Sequence, residues 1–171
     1  RLLIQIAKAK GARVVTTVGS AAKAAAVAAL GADEIVLYRE EDLAARVAEA
    51  TKGVGVDVVY DSVGRDTLAT SLRCLRVRGS CILFGASSGP VESVVPMDLA
   101  EAGSVFFTRP HLAHYRRTAE EAQWRADDIF RLVEQGRLKP AVDSVFPLAE
   151  AAAAHRRLES RESAGKILLQ P

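Results

Sequence analysis

The sequence has little cysteine and no long apolar run. Its two cysteines, Cys74 and Cys81, are too few for a disulfide framework and have no metal-ligand spacing, which favours a cytoplasmic protein. No apolar stretch approaches the roughly 18 to 20 residues that a membrane helix needs, so we expect no membrane partner.

The sequence also lacks an excess of either charge. Its 23 Lys and Arg residues face 21 Asp and Glu residues, and the net charge of +2 gives no support for nucleic acid as a partner. With 49% hydrophobic and 26% charged residues the composition is that of a globular protein, not of a disordered one. A length of 171 residues allows one domain, or one domain and part of another.

Short apolar runs alternate with helical patterns over the first 110 or so positions. The sequence predicts strands at 13–18, 34–37, 56–60, 80–84 and 104–108, with helices between the earlier ones. Ser20 is expected to cap the helix that follows the first strand. Strands with few polar residues, separated by helices, are typical of a parallel sheet covered on both faces. Right-handed crossovers then predict a doubly wound α/β domain of the Rossmann type.

The rhythm changes after Pro110, and the pattern predicts a second region there. A longer amphipathic helix over 119–135 is followed by a strand at 142–147, a helix over 148–158 and a last strand at 166–169. We therefore expect a nucleotide-binding domain over 1–117, and over 118–171 a connecting helix with the C-terminal part of a catalytic domain.

The first helical pattern, over 1–10, has no strand before it. In the dinucleotide-binding fold the strand order is 3-2-1-4-5-6, and the turn after the central first strand carries the glycine-rich phosphate loop. If 1–10 is the helix after that strand, the sheet lacks its first strand and leaves buried backbone groups unpaired, at about 1–3 kcal/mol each. We therefore expect the C-terminal half of a longer chain; the alternative is that 1–10 is simply an N-terminal helix.

The end of the strand at 13–18 bears on the choice of cofactor. NAD-binding sites usually place Asp or Glu there to accept from the ribose 2′-OH, but here Gly19 and Ser20 follow and Lys23 lies one helical turn on. A hydroxyl and an ammonium group attract a 2′-phosphate, which favours NADPH. The alternative for Lys23 is an ordinary solvated side chain. The missing carboxylate also argues against a doubly wound methyltransferase.

Several segments carry a family resemblance. VVYDSVGRDT at 58–67, FGASSG at 84–89, TRP at 108–110 and LESR at 158–161 resemble the zinc-independent, zeta-crystallin-like quinone oxidoreductases of the medium-chain dehydrogenase/reductase superfamily. The resemblance runs in order over essentially the whole sequence. It implies an NADPH-dependent reduction of quinones, by transfer of a hydride or of single electrons, in a longer enzyme whose phosphate loop would fall just before Arg1. It also implies that these 171 residues alone are inactive.

The resemblance also implies cofactor contacts beyond the end of the first strand. These comprise further contacts to the 2′-phosphate, residues beside the ribose and a loop that holds the nicotinamide carboxamide. The full predicted set is Ser20, Lys23, Tyr38, Ser62, Val63, Phe84, Gly85, Ser87 and Arg161.

Some members of this set have alternatives. Tyr38 could be an aromatic at the edge of the core, Arg161 could form a surface pair with Glu162, and 84–89 could be an ordinary Gly/Ser turn. Family members often have Asn where this sequence has Ala86, so only a backbone contact carries over there.

No catalytic residue is predicted. Asp61 resembles a general base in type, but a turn or cap role is favoured. His111 and His114 are three residues apart without further ligands nearby, so we expect no metal site.

The strand at 104–108 is the last of the predicted sheet and therefore an edge, which the resembling family pairs across a two-fold axis. The resemblance thus implies a homodimer. The alternatives for function are an alkenal or enone reductase of the same superfamily, and a non-enzymatic crystallin or RNA-binding role that the charge of +2 does not support.

Overall fold

The computed structural model describes residues 1–160 and 162–171. Helices and parallel strands alternate along this part of the chain. The helices are α1 Leu2–Ala9, α2 Ala21–Ala28, α3 Leu43–Ala50, α4 Leu68–Arg73, α5 Pro96–Glu101, α6 Ala119–Glu134 and α7 Ala151–Glu159. The strands are β1 Val15–Val18, β2 Glu34–Leu37, β3 Val56–Asp61, β4 Leu75–Leu83, β5 Phe106–Thr108, β6 Val142–Pro147 and β7 Lys166–Gln170.

β1 and β2 form a two-stranded parallel sheet. Val15 pairs with Glu34 and Val18 with Leu37, so the carboxyl ends of both strands lie at one edge. The buried cluster at this sheet joins α1, β1 and α2 through Ile4, Val18 and Val27, respectively. Apolar side chains at these positions bury one face of each helix, which is the main source of stability for short helices.

β3, β4 and β5 form a second parallel sheet, with β4 in the middle. Its buried cluster is separate from the first and joins side chains of α4 to β4 and to the residue before β5. The members are Leu68, Leu72, Leu75, Cys81 and Val105.

The sheet topology confirms an α/β fold with parallel strands. Among the described residues no strand pairing joins β1 to β3, so the expected sheet is divided between these two strands. A dinucleotide-binding sheet has its first strand at this position, and the division lies where the sequence predicts that strand to be missing.

The C-terminal region forms a third parallel pair, β6 with β7. It is tied to the first region through α1: Gln5 Nε2 donates to the Lys139 carbonyl at 3.3 Å, and the Lys139 amide donates to Gln5 Oε1 at 2.7 Å. Arg137 donates to the carbonyl of Ala9 at 2.6 Å. No helix in the described ranges is long and apolar enough to cross a membrane.

Most predicted elements are present with small shifts. The predictions for β2 and β6 match, whereas β4 begins at Leu75, five residues before its predicted start, because Leu75 already pairs with Val56 across an irregular register. The sequence reasoning missed α5, a six-residue helix that Pro96 begins. The predicted helix over 148–158 divides into a 3-10 turn at Leu148–Glu150 and α7.

Candidate cofactor site

The turn after β1 carries Ser20 and, one helical turn on, Lys23. Ser20 occupies the position before α2 with an extended backbone, but its side chain makes no capping hydrogen bond, so the expectation that its hydroxyl caps α2 is wrong. Its carbonyl instead accepts from the amides of Lys23 and Ala24. Because the backbone starts the helix here, the hydroxyl is not committed to a capping role.

Lys23 is exposed and lines a cavity of about 520 Å³. The cavity lies beside Val18 at the end of β1, and its lining also includes Arg1 and Lys166. These cationic residues stand in a lining that is otherwise mostly apolar, and the Arg1 guanidinium donates to the Ala164 carbonyl at 2.6 Å.

Tyr38 follows β2 and lies next to the turn after β1. Its amide donates to the Val18 carbonyl at 3.2 Å. Its ring is 53% exposed, and its hydroxyl lies so near Gly19 that a Cβ there would be 2.9 Å from Tyr38 Oη. The structure therefore brings Tyr38 to the turn that holds Ser20, with its side chain largely in solvent.

The turn after β3 is organised by Asp61, a buried carboxylate. Asp61 Oδ1 accepts from the amide of Val63 at 2.8 Å and from that of Gly64 at 3.1 Å. Oδ2 accepts from the hydroxyls of Thr67 at 2.7 Å and Ser71 at 2.8 Å. With both oxygens engaged and the residue 4% exposed, Asp61 has the turn role that its sequence context favours, and it lacks the open side of a general base.

The loop at 84–89, after β4, is hydrogen-bonded to the turn after β3 along its length. The amides of Phe84, Ser87 and Ser88 donate to carbonyls at positions 61, 62 and 63, at 2.8, 3.3 and 2.9 Å. The Ser88 hydroxyl donates to the Val63 carbonyl and accepts from the amide of Asp66. The two loops therefore form one unit at the carboxyl edge of the second sheet.

Glycine makes this close approach possible. A Cβ at Gly85 would overlap the carbonyl oxygen of Ser62, and one at Gly64 would lie 2.8 Å from the carbonyl of Gly89. Gly64 also has a φ of +94°, which favours glycine. Phe84 is 42% exposed, and Ser62 and Ser87 are exposed, so the unit presents one aromatic and two short polar side chains to solvent.

The predicted site residues thus fall into two groups. The first, after β1 and β2, contains Ser20, Lys23 and Tyr38; the second, after β3 and β4, contains Ser62, Val63, Phe84, Gly85 and Ser87. Arg161 lies outside the described residues. Parallel pairing within each sheet aligns the strand ends, but no strand pairing within the described ranges joins the two groups.

The cysteines do not supply a nucleophile. Burial raises the pKa of the Cys81 thiol to about 11, with the negative charge of Asp61 adding to the effect, and burial likewise raises the pKa of Cys74 to about 11. Both therefore remain thiols at neutral pH. The rings of His111 and His114 are 5.4 Å apart, and the described part of the chain has no group of three His, Cys, Asp or Glu side chains that could hold a metal ion.

Sequence reasoning missed the hydroxyl residues that support the two loops. Thr67 and Ser71 are four residues apart and so share a face of the helical segment that follows the turn, which is a signal readable from the sequence. Ser88 had no such signal, because its partners Val63 and Asp66 lie more than twenty residues away.

Comparison with known proteins gives one family and a consistent set of relatives. The family model described as zinc-binding dehydrogenase matches residues 30–169. The chain is 44% identical over 167 residues to a quinone oxidoreductase of Pseudomonas aeruginosa, covering 98% of this chain and 51% of that protein. It is 42% identical over 171 residues to a 2-haloacrylate reductase of Burkholderia, covering 99% and 51%.

Solved structures agree with this. The crystal structure of Escherichia coli quinone oxidoreductase in complex with NADPH superposes with a TM-score of 0.92 at 44% identity, covering 99% of this chain and 53% of that one. The resemblance inferred from the sequence motifs is therefore confirmed. The chain spans about half the length of the curated relatives that it matches.

Proposed function

Because the chain belongs to the zinc-binding dehydrogenase family, we propose that it forms the NADPH-binding part of an enzyme that reduces quinones. The relative from Pseudomonas aeruginosa is a quinone oxidoreductase, and the Escherichia coli structure contains NADPH. The observation that carries the cofactor choice is the end of β1, where Gly19 and Ser20 stand in place of a carboxylate and Lys23 follows.

The described residues fit such a cofactor. Lys23 and the cavity beside it favour the anionic 2′-phosphate, with Ser20 and Tyr38 at the same strand ends. Ser62 and Val63 would lie beside the ribose, and the backbone near Phe84, Gly85 and Ser87 would hold the carboxamide. Arg161 completes the proposal as a further phosphate contact. The chemistry supplied by the bound cofactor is hydride donation, and the protein contributes binding and orientation.

The cofactor choice is tested by replacing Lys23 with Ala in the intact protein. Removing the ammonium should raise the KM for NADPH about tenfold and leave that for NADH nearly unchanged, because only NADPH carries the 2′-phosphate. Lys10→Ala, at another exposed lysine just after α1, is the matched control. Equal KM values for NADPH in wild type and Lys23→Ala would remove Lys23 from the site.

A second candidate substrate is an activated alkene. The chain is 42% identical to the 2-haloacrylate reductase, and this value is close to its 44% identity to the quinone oxidoreductase. Initial rates with NADPH and a benzoquinone, an enone or 2-chloroacrylate distinguish the two. A kcat/KM for the alkene that exceeds that for every quinone would replace the quinone proposal.

The remaining parts of the proposal concern organisation. We assign residues 1–117 to a nucleotide-binding domain and 118–171 to the connecting helix and part of a catalytic domain.

We further propose reduction without zinc, which metal analysis of the purified active protein tests. A cytoplasmic location rests on the two free cysteines, which suit a reducing compartment.

A homodimer through β5 also belongs to this proposal. β5 is the outer strand of its sheet, and Phe106 on it is 65% exposed. Unpaired edge strands favour pairing with another chain. Light scattering of the intact protein at micromolar concentration should give twice the mass of one chain.

A further inference from the structure

Asp61 is the buried carboxylate at the carboxyl edge of the second sheet. It is 4% exposed and ends β3, directly before the turn that carries Ser62 and Val63. Buried carboxylates are costly unless hydrogen bonds satisfy their oxygens. Both carboxylate oxygens of Asp61 are therefore expected to accept hydrogen bonds.

The turn contacts one oxygen of Asp61 and Ser71 contacts the other, whereas the Thr67 hydroxyl lies within hydrogen-bond distance of both, 2.9 Å from Oδ1 and 2.7 Å from Oδ2. Oδ1 accepts from the turn, through the amides of Val63 and Gly64 at 2.8 and 3.1 Å. Oδ2 accepts from the helix side, through the hydroxyls of Thr67 and Ser71 at 2.7 and 2.8 Å. One side chain therefore fixes the turn to the α4 segment.

The turn after β3 also holds the loop at 84–89 in place. The carbonyls of Ser62 and Val63 accept from the amides of Ser87 and Ser88, and the amide of Phe84 donates to the Asp61 carbonyl. A change in the turn after β3 must therefore shift the loop at 84–89. Both loops hold residues of the proposed cofactor site.

We propose that Asp61 is a positioning residue for cofactor binding. It acts through the turn at 62–64 and the attached loop, while its own oxygens are occupied by donors from the protein. This inference rests on the proposed function, because it takes the exposed face of the two loops as the surface that meets NADPH. It predicts a loss of affinity for the cofactor that is separable from the loss of stability.

The chemistry of the two oxygens supplies graded variants. Asp61→Ala removes the acceptor for all four donor groups. Asp61→Asn retains one oxygen that can accept from Val63 and Gly64, and its amide group can donate to the hydroxyls of Thr67 or Ser71. Ser71→Ala is the matched control, because it removes a partner of Oδ2 and leaves the contacts to the turn in place.

The experiment measures NADPH affinity, steady-state kinetics and thermal unfolding of these variants in the intact protein. Asp61→Ala should raise the Kd and KM for NADPH at least tenfold while kcat changes less than threefold. Asp61→Asn should recover most of the affinity, and Ser71→Ala should lower the midpoint of unfolding with less than a twofold change in KM. A Kd of Asp61→Ala within twofold of wild type, or equal losses in Asp61→Ala and Ser71→Ala, would overturn the inference.

Amide hydrogen exchange separates this result from a failure of the proposed function. A neutral amide oxygen accepts more weakly than a carboxylate oxygen. Moderately faster exchange at Val63 and Gly64 in Asp61→Asn than in Ser71→Ala therefore supports the positioning of the turn, even where Asp61→Ala does not fold. If wild type does not bind NADPH, the proposed function fails, and exchange alone decides whether Asp61 positions the turn. Unchanged exchange at both amides in Asp61→Asn and Asp61→Ala overturns the role of Asp61.

Discussion

At the scale of single residues, the absence of a side chain at position 85 sets the distance between the two loops of the candidate site. A Cβ on Gly85 would overlap the Ser62 carbonyl oxygen, which is backbone and cannot rotate away. The amide of Ser87 donates to that same carbonyl. Glycine is therefore required here by space, not by an unusual φ.

We expect Gly85→Ala to lower both stability and affinity for NADPH. The added methyl must push the loops apart, at about 1–3 kcal/mol for overpacking of this kind. Chemical denaturation gives the free energy of unfolding and a fluorescence titration gives the Kd. Gly11→Ala is the control, since Gly11 has a φ of +76° and open space around it, so alanine there costs roughly 1–2 kcal/mol from backbone strain alone. A Kd that rises equally in both variants would contradict the prediction.

Residue roles could be predicted from the sequence only where the contacts are local. The turn role of Asp61 is readable from the sequence, because an acid at the start of a turn can accept from the amides two and three residues later. The structure has those hydrogen bonds, from Val63 and Gly64. The capping role expected for the Ser20 hydroxyl was wrong, because backbone geometry can start a helix without it. The partners of Ser88 are set by the packing of β3 against β4, which no local pattern encodes.

At the scale of elements, Asp143 links β6 to the chain just before β7 and to α7. Asp143 on β6 accepts from the amide of Ala164, just before β7, at 2.9 Å and from Arg157 of α7 at 3.3 Å. The hydrogen bond from Ala164 is the main cause that lowers the pKa of Asp143, and Arg157 adds to it. Because the folded pKa lies below the unfolded one, the ionised carboxylate stabilises the fold above the unfolded pKa of about 4, and this contribution is lost as the pH falls through the lower folded pKa.

Asp143→Asn should therefore lower the thermal midpoint at pH 7 and change it less between pH 7 and pH 3 than wild type does. Thermal unfolding followed by circular dichroism across this range measures both effects. The exposed acid Glu92, replaced by Gln, serves as control. Parallel pH profiles for wild type and Asp143→Asn would show that Asp143 does not provide this dependence.

The edge strand β5 gives a second prediction at this scale. Phe106→Asp places a charge on the exposed edge and should convert the proposed dimer to a monomer, since charges on edge strands oppose strand pairing. Sedimentation velocity at micromolar concentration measures the change. Val54→Asp, at a similarly exposed apolar residue before β3, should remain dimeric. A dimer that survives Phe106→Asp would place the interface elsewhere.

The elements themselves were largely predictable, because apolar periodicity and turn glycines are local. Gly11 and Gly31 end the segments after α1 and α2 with φ of +76° and +85°. α5 was missed because its six residues follow a stretch rich in Gly, Ser and Pro and contain too few turns for a period to appear. The early start of β4 depends on pairing with β3, which lies about twenty residues earlier in the chain.

At the scale of the whole molecule, the division between β1 and β3 is the dominant feature. Each of these strands has a paired neighbour on one side only, and each of the two sheets that contain them has its own hydrophobic cluster among the described residues. The alternation of strands and helices predicted the fold class. The strand order of dinucleotide-binding sheets predicted where pairing would be missing, because that order places a further strand between these two.

We therefore expect the 171 residues expressed alone to bind NADPH at least tenfold more weakly than the intact protein and to reduce no quinone. The two groups of candidate cofactor residues lie at the ends of different sheets, and a strand between β1 and β3 is needed to fix their separation, since a small misplacement of binding groups costs much of the affinity. Isothermal titration with NADPH, benzoquinone turnover and binding of a hydrophobic dye measure the difference, with the intact protein as reference. The dye should also bind to apolar surface beside the unpaired edges of β1 and β3 in the 171 residues alone, and not to the intact protein. NADPH binding by the 171 residues as tight as that of the intact protein would mean that the two sheets already hold the complete site.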